Sequence, residues 1–388
     1  MSNTAFFRNA TIYRLAASWW PDIATLANQL ATQAFQPTGD LQAESVGWVQ
    51  PTADTDLVYD SAGHLLLTMR VERKVIPGAA VDLLVRERAA EFEEKEGFKP
   101  GRKLLKEIKE RVLDEMLPRA FRQQRDTRVW IDLTGRTLVI DSSSPAQCDQ
   151  VLGLIGKCLD PFPLEPFLVQ TNPALAMTAW LQADAAPDCF TIDTDVELRG
   201  QGDQGPVIRY QRQAVDPNDV GRHIHAGKVC TLLGLTWNDR VAMLLTDTLV
   251  LKRIVPLDLL THTQEREAAQ NAAERYAADF KLMTGEMSGL IGDLTHALGG
   301  LQDDLAQRAA RDTAPVVDAE IAPDHGSSSA PLLYQAREYV IANDRASISL
   351  IQRHLGIGYN RAARLLETLE QLGVVSPMTP DGKRAVLA

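Results

Sequence analysis

The sequence predicts an α+β protein: a large body of mixed strands and helices, followed by a small domain of three helices and a β-hairpin. Three observations carry that reading. The chain has 388 residues, more than one ordinary compact unit, and an apolar content of 45% supplies a sizeable core. Strand-like and helix-like periodicities alternate along the first three quarters of it. A stretch rich in Pro, Gly, Ser and acids, clearest from Arg311 to Ala330, then breaks all periodicity and reads as a tether. The expected division is a body over 1–303, a linker over 304–330 and a C-terminal domain over 331–388.

In chain order, Ala10–Leu15 and Leu65–Val75 read as strands. A charged helical stretch runs from Ala80 to Phe121, interrupted where Gly97 to Gly101 includes Lys-Pro-Gly. Beyond the interruption, Lys99, Arg102, Lys103, Lys106 and Lys109 recur at spacings that gather most of them on one side of a helix. Val129–Ile140 reads as a hairpin around Thr134-Gly135, and Ala146–Leu159 as an amphipathic helix. Val207–Gln213 and Val229–Leu235 read as strands, and Gln264–Leu298 as a helix with a break at Gly285. No internal repeat is evident.

The C-terminal domain is patterned more sharply. Ser329-Ala-Pro331 caps a helix that reaches Asn343-Asp344, and Ser349-Leu-Ile-Gln352 fits a capping box for a second helix ending near Gly356. A third helix spans Asn360–Leu372 and stops at Gly373. Val374–Ser376 and Ala385–Leu387 pair around Pro380-Asp-Gly-Lys383, which completes a winged helix-turn-helix arrangement. At about 100° per residue, Ala362, Leu365, Leu366, Leu369 and Leu372 form the third helix's core face. Asn360, Arg364, Glu367 and Gln371 make a narrow polar stripe opposite, with Arg361 and Thr368 at its edge. Arg reads guanine, Asn and Gln read adenine, and Glu accepts from the cytosine amino group in a major groove. Lys383 and Arg384, near the hairpin tip, suit phosphate contacts that position without reading sequence.

The net charge of −11 argues against a polyanion partner, but binding depends on the local field. Arg70–Arg128 holds 16 Lys and Arg against 12 Asp and Glu, and Leu332–Ala388 holds 7 against 5. Apolar runs such as Val241–Leu245 fall far short of the roughly 18 to 20 residues a membrane span needs. Met1 to Leu15 shows no leader pattern, so a cytoplasmic protein is expected, nucleoid-associated if it binds DNA. Cys148, Cys158, Cys189 and Cys230 lie far apart without a CxxC pair and read as small buried hydrophobes. His223 and His225 share a face if their stretch is a strand, but no third ligand accompanies them, so no metal is expected.

Catalytic and cofactor motifs are missing. Gly227-Lys228 and Gly156-Lys157 are followed by Val and Cys, so neither offers the hydroxyl of a phosphate-binding loop. There is no nucleophile elbow, no H-E-x-x-H and no dinucleotide fingerprint. The chain is expected to be a DNA-binding protein without a cofactor; a metal-dependent nuclease is the enzymatic alternative.

Two resemblances extend this reading. Ser347–Arg364, with Gln352-Arg353, Ile357-Gly-Tyr-Asn-Arg-Ala-Ala-Arg364 and then Glu367, resembles the γ domain of the FtsK DNA translocases. That likeness implies reading of short G-rich sites through Asn360, Arg364 and Glu367, and contact with a Xer-type recombinase. The motor of that family is missing, so translocation by this chain alone is excluded. Residues from about Phe6 to Gly300 resemble the RdgC family. The pieces are Phe7-Arg-Asn9, Ile12-Tyr-Arg-Leu15, Gly47-Trp-Val49, Lys74–Pro77, Leu117-Pro-Arg-Ala-Phe121, Val207-Ile-Arg209, Ala226-Gly-Lys-Val229 and Leu282-Met-Thr-Gly-Glu286. The likeness implies a ring-shaped homodimer that encircles double-stranded DNA and restrains RecA-driven strand exchange. It implies backbone contacts by Lys74, Arg119, Arg212 and Gln213 and a subunit interface at Phe121. On this reading the tether and the winged helix are additions to the family's body. They either give a clamp a sequence preference or dock a recombinase.

Overall fold

In a computed structural model of the chain, the body is organised by one continuous, largely antiparallel sheet. The structure describes residues 6–387 apart from 17–18, 53–54, 160–163, 201, 203–204, 214–215, 258–270, 303–329, 344–345, 356–358 and 377–383. Among the described residues the sheet has twelve strands. They are β1 (Ala10–Leu15), β2 (Glu44–Val49), β3 (Tyr59–Ser61), β4 (His64–Val75), β5 (Phe121–Asp132), β6 (Thr137–Ile140), β7 (Leu164–Pro166), β8 (Phe190–Arg199), β9 (Val207–Tyr210), β10 (Val229–Trp237), β11 (Val241–Thr246) and β12 (Val250–Pro256). The order is β2-β4-β5-β6-β1-β12-β11-β10-β8-β9, with β3 on β4 and β7 on β1.

Alternation along the strands divides the interior in two, because successive side chains leave a strand on opposite faces. Tyr13 and Leu15 of β1, Leu65, Leu67 and Met69 of β4, and Val129 and Ile131 of β5 point into one core. Helices α1 (Ile23–Ala31) and α4 (Pro145–Cys158) cover it with Leu26, Leu30, Val151 and Ile155. The residues between them, Ala10, Ile12, Leu66, Trp130 and Val139, enter the other core. There they meet Met177 of α5 (Pro173–Ala183) and Phe280, Met287 and Leu290 of α7 (Ala272–Ala297).

Strands β4 and β5 form a long ribbon, paired from His64↔Asp132 to Val75↔Phe121, which runs past β6 and carries β2 along the outer edge of β4 from Thr68 to Arg73. Between them lie α2 (Gly78–Glu96) and α3 (Arg102–Met116), then a 3-10 turn over Leu117–Arg119. The expected interruption is real: Gly97 ends α2 in the left-handed region at φ 77°, and Gly101 begins α3. The helical reading ran too far, however, since Phe121 already belongs to β5.

Two further expectations are corrected. His223 and His225 lie on a helix, α6 (Pro217–His225), started by Pro217 and capped by Asp216, whose carboxylate accepts from Asn218 N. Two positions apart on a helix is about 200°, so the rings do not share a face. Helix α7 is unbroken at Gly285, where a Cβ would meet nothing. The glycine that packing requires is Gly289, where a Cβ would lie 3.1 Å from the Trp237 ring. The expected start of that helix at Gln264 lies outside the described residues.

The C-terminal domain contributes α8 (Ala330–Asn343), α9 (Ile348–Leu355) and α10 (Tyr359–Gln371). Its separate core joins Ala336, Val340, Ile351, Ala362, Leu365, Leu366 and Leu369. Leu372 departs from the expected core face, being 60% exposed just beyond the end of α10. Helix α9 starts at Ile348, two residues earlier than expected, so Ser349 lies inside it rather than capping it, and Ile351 N donates to Ser347 O at 3.1 Å. Val375 and Val386 form an antiparallel bridge, flanked by Ser376 N to Ala385 O and Leu387 N to Val374 O, both 2.8 Å.

Candidate nucleic-acid interface

The end of the β4–β5 ribbon is built around a buried acid. Glu72 on β4 accepts from Thr38 N at 2.8 Å, from Thr38 Oγ1 at 2.7 Å and from Gln124 Nε2 at 2.7 Å, with Arg122 at 3.9 Å. The Gln124 hydrogen bond, then the two from Thr38, hold its carboxyl down at about 2. The loop carrying Thr38 reaches this spot by crossing β2 at close range. Phe35 N donates to Trp48 O at 2.9 Å, and a Cβ at Gly47 would sit 2.4 Å from Phe35 Cα, so only glycine fits there.

Lys74 corrects an expectation. Only 6% exposed, it turns its ammonium inward and donates to Gly39 O and Asp40 O, both at 2.6 Å. It therefore pins the same loop rather than facing solvent, where a phosphate would lie. Other cations of the basic segment are also engaged. Arg70 makes a two-point contact with Asp126 at 2.7 Å, and Arg73 binds Glu44 at 2.6 and 2.8 Å. Arg128 reaches Asp141 at 2.7 Å and Phe6 O at 2.6 Å, and Arg125 donates to Gln147 Oε1 at 2.6 Å.

What remains open is the outer surface of α3 and the turn after it. Lys99, Arg102, Lys103, Lys109 and Arg119 are exposed and make no ion pair among the described residues, while Lys106 sits 3.8 Å from Glu110. Phe92 and Phe98 meet edge to face at 5.5 Å across the α2–α3 turn and set the start of this surface. Phe121, 86% exposed, stands two residues from Arg119, beside the partly open Val75. From Phe121 to Thr127 the outer edge of β5 pairs with no strand among the described residues.

Arg212 and Gln213 are exposed but lie elsewhere. They follow β9, seven strand spacings from β5, or roughly 34 Å along the sheet. Arg212 takes φ 54°, and its N–H donates to Asp195 Oδ1 at 3.3 Å. One chain thus brings Arg119 and Phe121 together and leaves Arg212 and Gln213 at the far edge.

In the C-terminal domain Glu367 is exposed on α10, as the polar stripe requires. Asn360, Arg361 and Arg364 lie on the same helix, but their side chains are outside the described residues, as is Lys383 entirely. Arg384 is mostly buried in an ion pair with Glu370, so its expected place at a phosphate is corrected. Sequence reasoning missed the Glu72 latch because nothing in Glu-Arg-Lys distinguishes it from a solvated charge run. Only the register against Gln124 reveals which charges turn inward.

Residues 5–301 match the family described as "Putative exonuclease, RdgC", and residues 327–388 match the "Ftsk gamma domain". A protein of Bordetella parapertussis, described as "Recombination-associated protein RdgC", is 46% identical over 295 residues, covering 76% of this chain and 98% of its own length. Cupriavidus necator has one of the same description, identity and coverage. Another from Burkholderia orbicola is 44% identical over 305 residues, 79% of this chain and 99% of its own. No helix among the described residues is long and apolar enough to cross a membrane.

Proposed function

The chain belongs to the RdgC family and carries an FtsK γ domain after the RdgC part, and on that premise we propose that it is a double-stranded DNA clamp with its own address reader. The observation that carries the proposal is the open row of cations on α3 and Arg119, which have no ion-pair partner among the described residues. Cations left unneutralised by their own fold are the ones that release counterions from a duplex on binding. A homodimer closing at Phe121 would bring two such rows, and two Arg212–Gln213 edges, around one duplex. Restraint of RecA-type strand exchange follows if the clamp holds the duplex that exchange must open.

The C-terminal domain supplies sequence preference for short G-rich sites through Asn360, Arg361, Arg364 and Glu367 on α10. A linker over 304–330 holds reader and clamp at high effective concentration, so a weak reader biases where the clamp sits. We propose this activity as non-enzymatic. In support, two inward-turned acids of the body are engaged: Asp132 accepts from Gly135 N at 2.8 Å and Ser288 Oγ at 2.7 Å, and the partly buried Glu197 from Arg209 at 2.7 Å and Thr231 at 2.9 Å. Among the described residues no group of three or more His, Cys, Asp and Glu could hold a metal ion.

The test is duplex binding by the full chain and by a truncation after Gln302, on G-rich and scrambled DNA across a salt series. The expected result is a steep salt slope for both proteins and G-rich preference for the full chain alone. Equal binding to both duplexes by the full chain overturns the reader and favours docking of a Xer-type recombinase. Degradation of the DNA with Mg²⁺ or Mn²⁺ present overturns the non-enzymatic reading.

A further inference from the structure

The C-terminal domain and the body meet at a defined place. Ser347 Oγ donates to Asp149 Oδ2 at 2.7 Å, joining residues 198 apart in the chain. Asp149 lies on α4, and Ser347 immediately precedes α9. The carboxylate therefore faces the amino end of α9, where backbone N–H groups and the helix dipole favour negative charge. Helix α9 packs along α4, and α10 runs beside β7. Tyr339 and His354 stack with ring centres 3.6 Å apart and planes 9° apart. Their pair walls a cleft of about 440 Å³ whose opposite wall is body, including Asn172, Asp247 and Leu249.

We propose that the α4–β7 surface of the body is a docking site for the chain's own C-terminal domain, and that docking masks α10 from DNA. A major groove about 12 Å wide closes around both flanks of an inserted helix. Glu367 stays open to solvent, but strand β7 lies beside α10 on ground that a duplex closing around the helix would have to take, so on this proposal reading requires the domain to leave α4. We take the contact to be reversible; among the described residues it includes the Ser347–Asp149 hydrogen bond, α9 against α4 and α10 beside β7. DNA held by the body would then release the reader only where a preferred site repays the lost contact. The masking half of this inference rests on the reading in which α10 binds DNA; the docking half does not.

The experiment is small-angle scattering of the full chain without DNA, paired with binding to G-rich and scrambled duplexes. It compares wild type with Asp149→Arg, which sets a cation against the amino end of α9, and with Ser347→Ala, which removes one hydrogen bond and leaves the body untouched. Thermal melts check that each variant folds. Both variants are expected to enlarge the radius of gyration. Ser347→Ala should raise G-rich affinity about two- to ten-fold, the range one hydrogen bond commands, and Asp149→Arg at least as much. Scattering profiles that superimpose for all three proteins overturn the docking site. Larger particles with a G-rich preference present but unstrengthened overturn the masking. Larger particles that never prefer either duplex overturn the reader itself and uphold the docking site.

Discussion

One carboxylate oxygen of Glu72 accepts both the backbone N–H and the hydroxyl of Thr38, 34 residues earlier in the chain. The pair ties an otherwise irregular loop to the ribbon that ends in Phe121. Because Gln124, then Thr38, hold the Glu72 carboxyl at about 2 against an ordinary 4.5, its charged form is stabilised by folding. A lowered carboxyl contributes stability above its unfolded value, and that contribution drains away as pH falls from 4.5 toward 2. Glu72→Gln should cost about 1 to 3 kcal/mol at pH 7 and progressively less below pH 4.5, measured by urea melts at both ends of that range.

Glu286 titrates in the opposite sense. Burial raises its carboxyl, and the guanidinium of Arg240 opposes that rise. A raised carboxyl favours the fold at low pH and loses that contribution as pH climbs through its folded value. Arg240→Ala leaves the acid buried without its ion-pair partner. The variant should lose about 1 to 3 kcal/mol at pH 8 and clearly less at pH 5, where Glu286 can take up a proton. Equal losses at both pH values would show that Arg240 acts through packing alone.

Phe121→Ser should leave the unfolding free energy of the protomer within about 1 kcal/mol of wild type, since the ring touches solvent. Sedimentation velocity should show a weaker self-association. An unchanged sedimentation profile would remove Phe121 from the interface.

Replacing Lys103 and Lys109 with alanine should weaken binding equally on G-rich and scrambled duplexes. The slope of log affinity against log salt should shrink by roughly one for each phosphate contact removed. Lys74→Met should instead act on stability, since Lys74 holds the carbonyls of Gly39 and Asp40. Titrations at four salt concentrations would separate the two behaviours.

Asn360→Ala and Arg364→Ala should each relax base preference by about 1 to 3 kcal/mol while sparing the affinity for scrambled DNA. Competition between the two duplexes measures this directly. A uniform drop on both would reassign these side chains to phosphate contact.

Elements with a clean period were legible in the sequence. Strand β1 runs over Ala10–Leu15 as expected, and the β5–β6 hairpin turns where Thr134-Gly135 indicated. The three C-terminal helices fall within a residue or two of expectation because their apolar period is clean, although Ser349, expected as a cap, lies inside the second. The failures share a cause: a local pattern decided by distant partners. His223 and His225 look strand-like until Asp216 and Pro217 start a helix through them. Gly285 looks like a break, yet the apolar face of α7 on either side holds the helix straight through it. Lys74 and Arg384 look like phosphate ligands until the fold sets carbonyls beside one and Glu370 beside the other. Position in the chain identifies a cation; only the fold shows whether its charge is already answered.

Strand β1 lies at the centre of the sheet, with β6 on one side and β12 on the other, through Thr11↔Ile140 and Thr11↔Val250. Its second edge is closed in two steps, by β7 along Tyr13–Leu15 and only by β12, nearly the last described strand of the body, along Ala10–Thr11. The pairings among β1, β2, β3, β4, β5 and β6 can assemble early, because they join residues within the first 140. During the interval β1 carries an unpaired, apolar edge, the kind that recruits strands from other nascent chains. Refolding of the body should be slow for its size, since the closing contact spans about 240 residues. Synthesis rate and chaperone supply, more than final stability, would then govern how much of the protein reaches its working form.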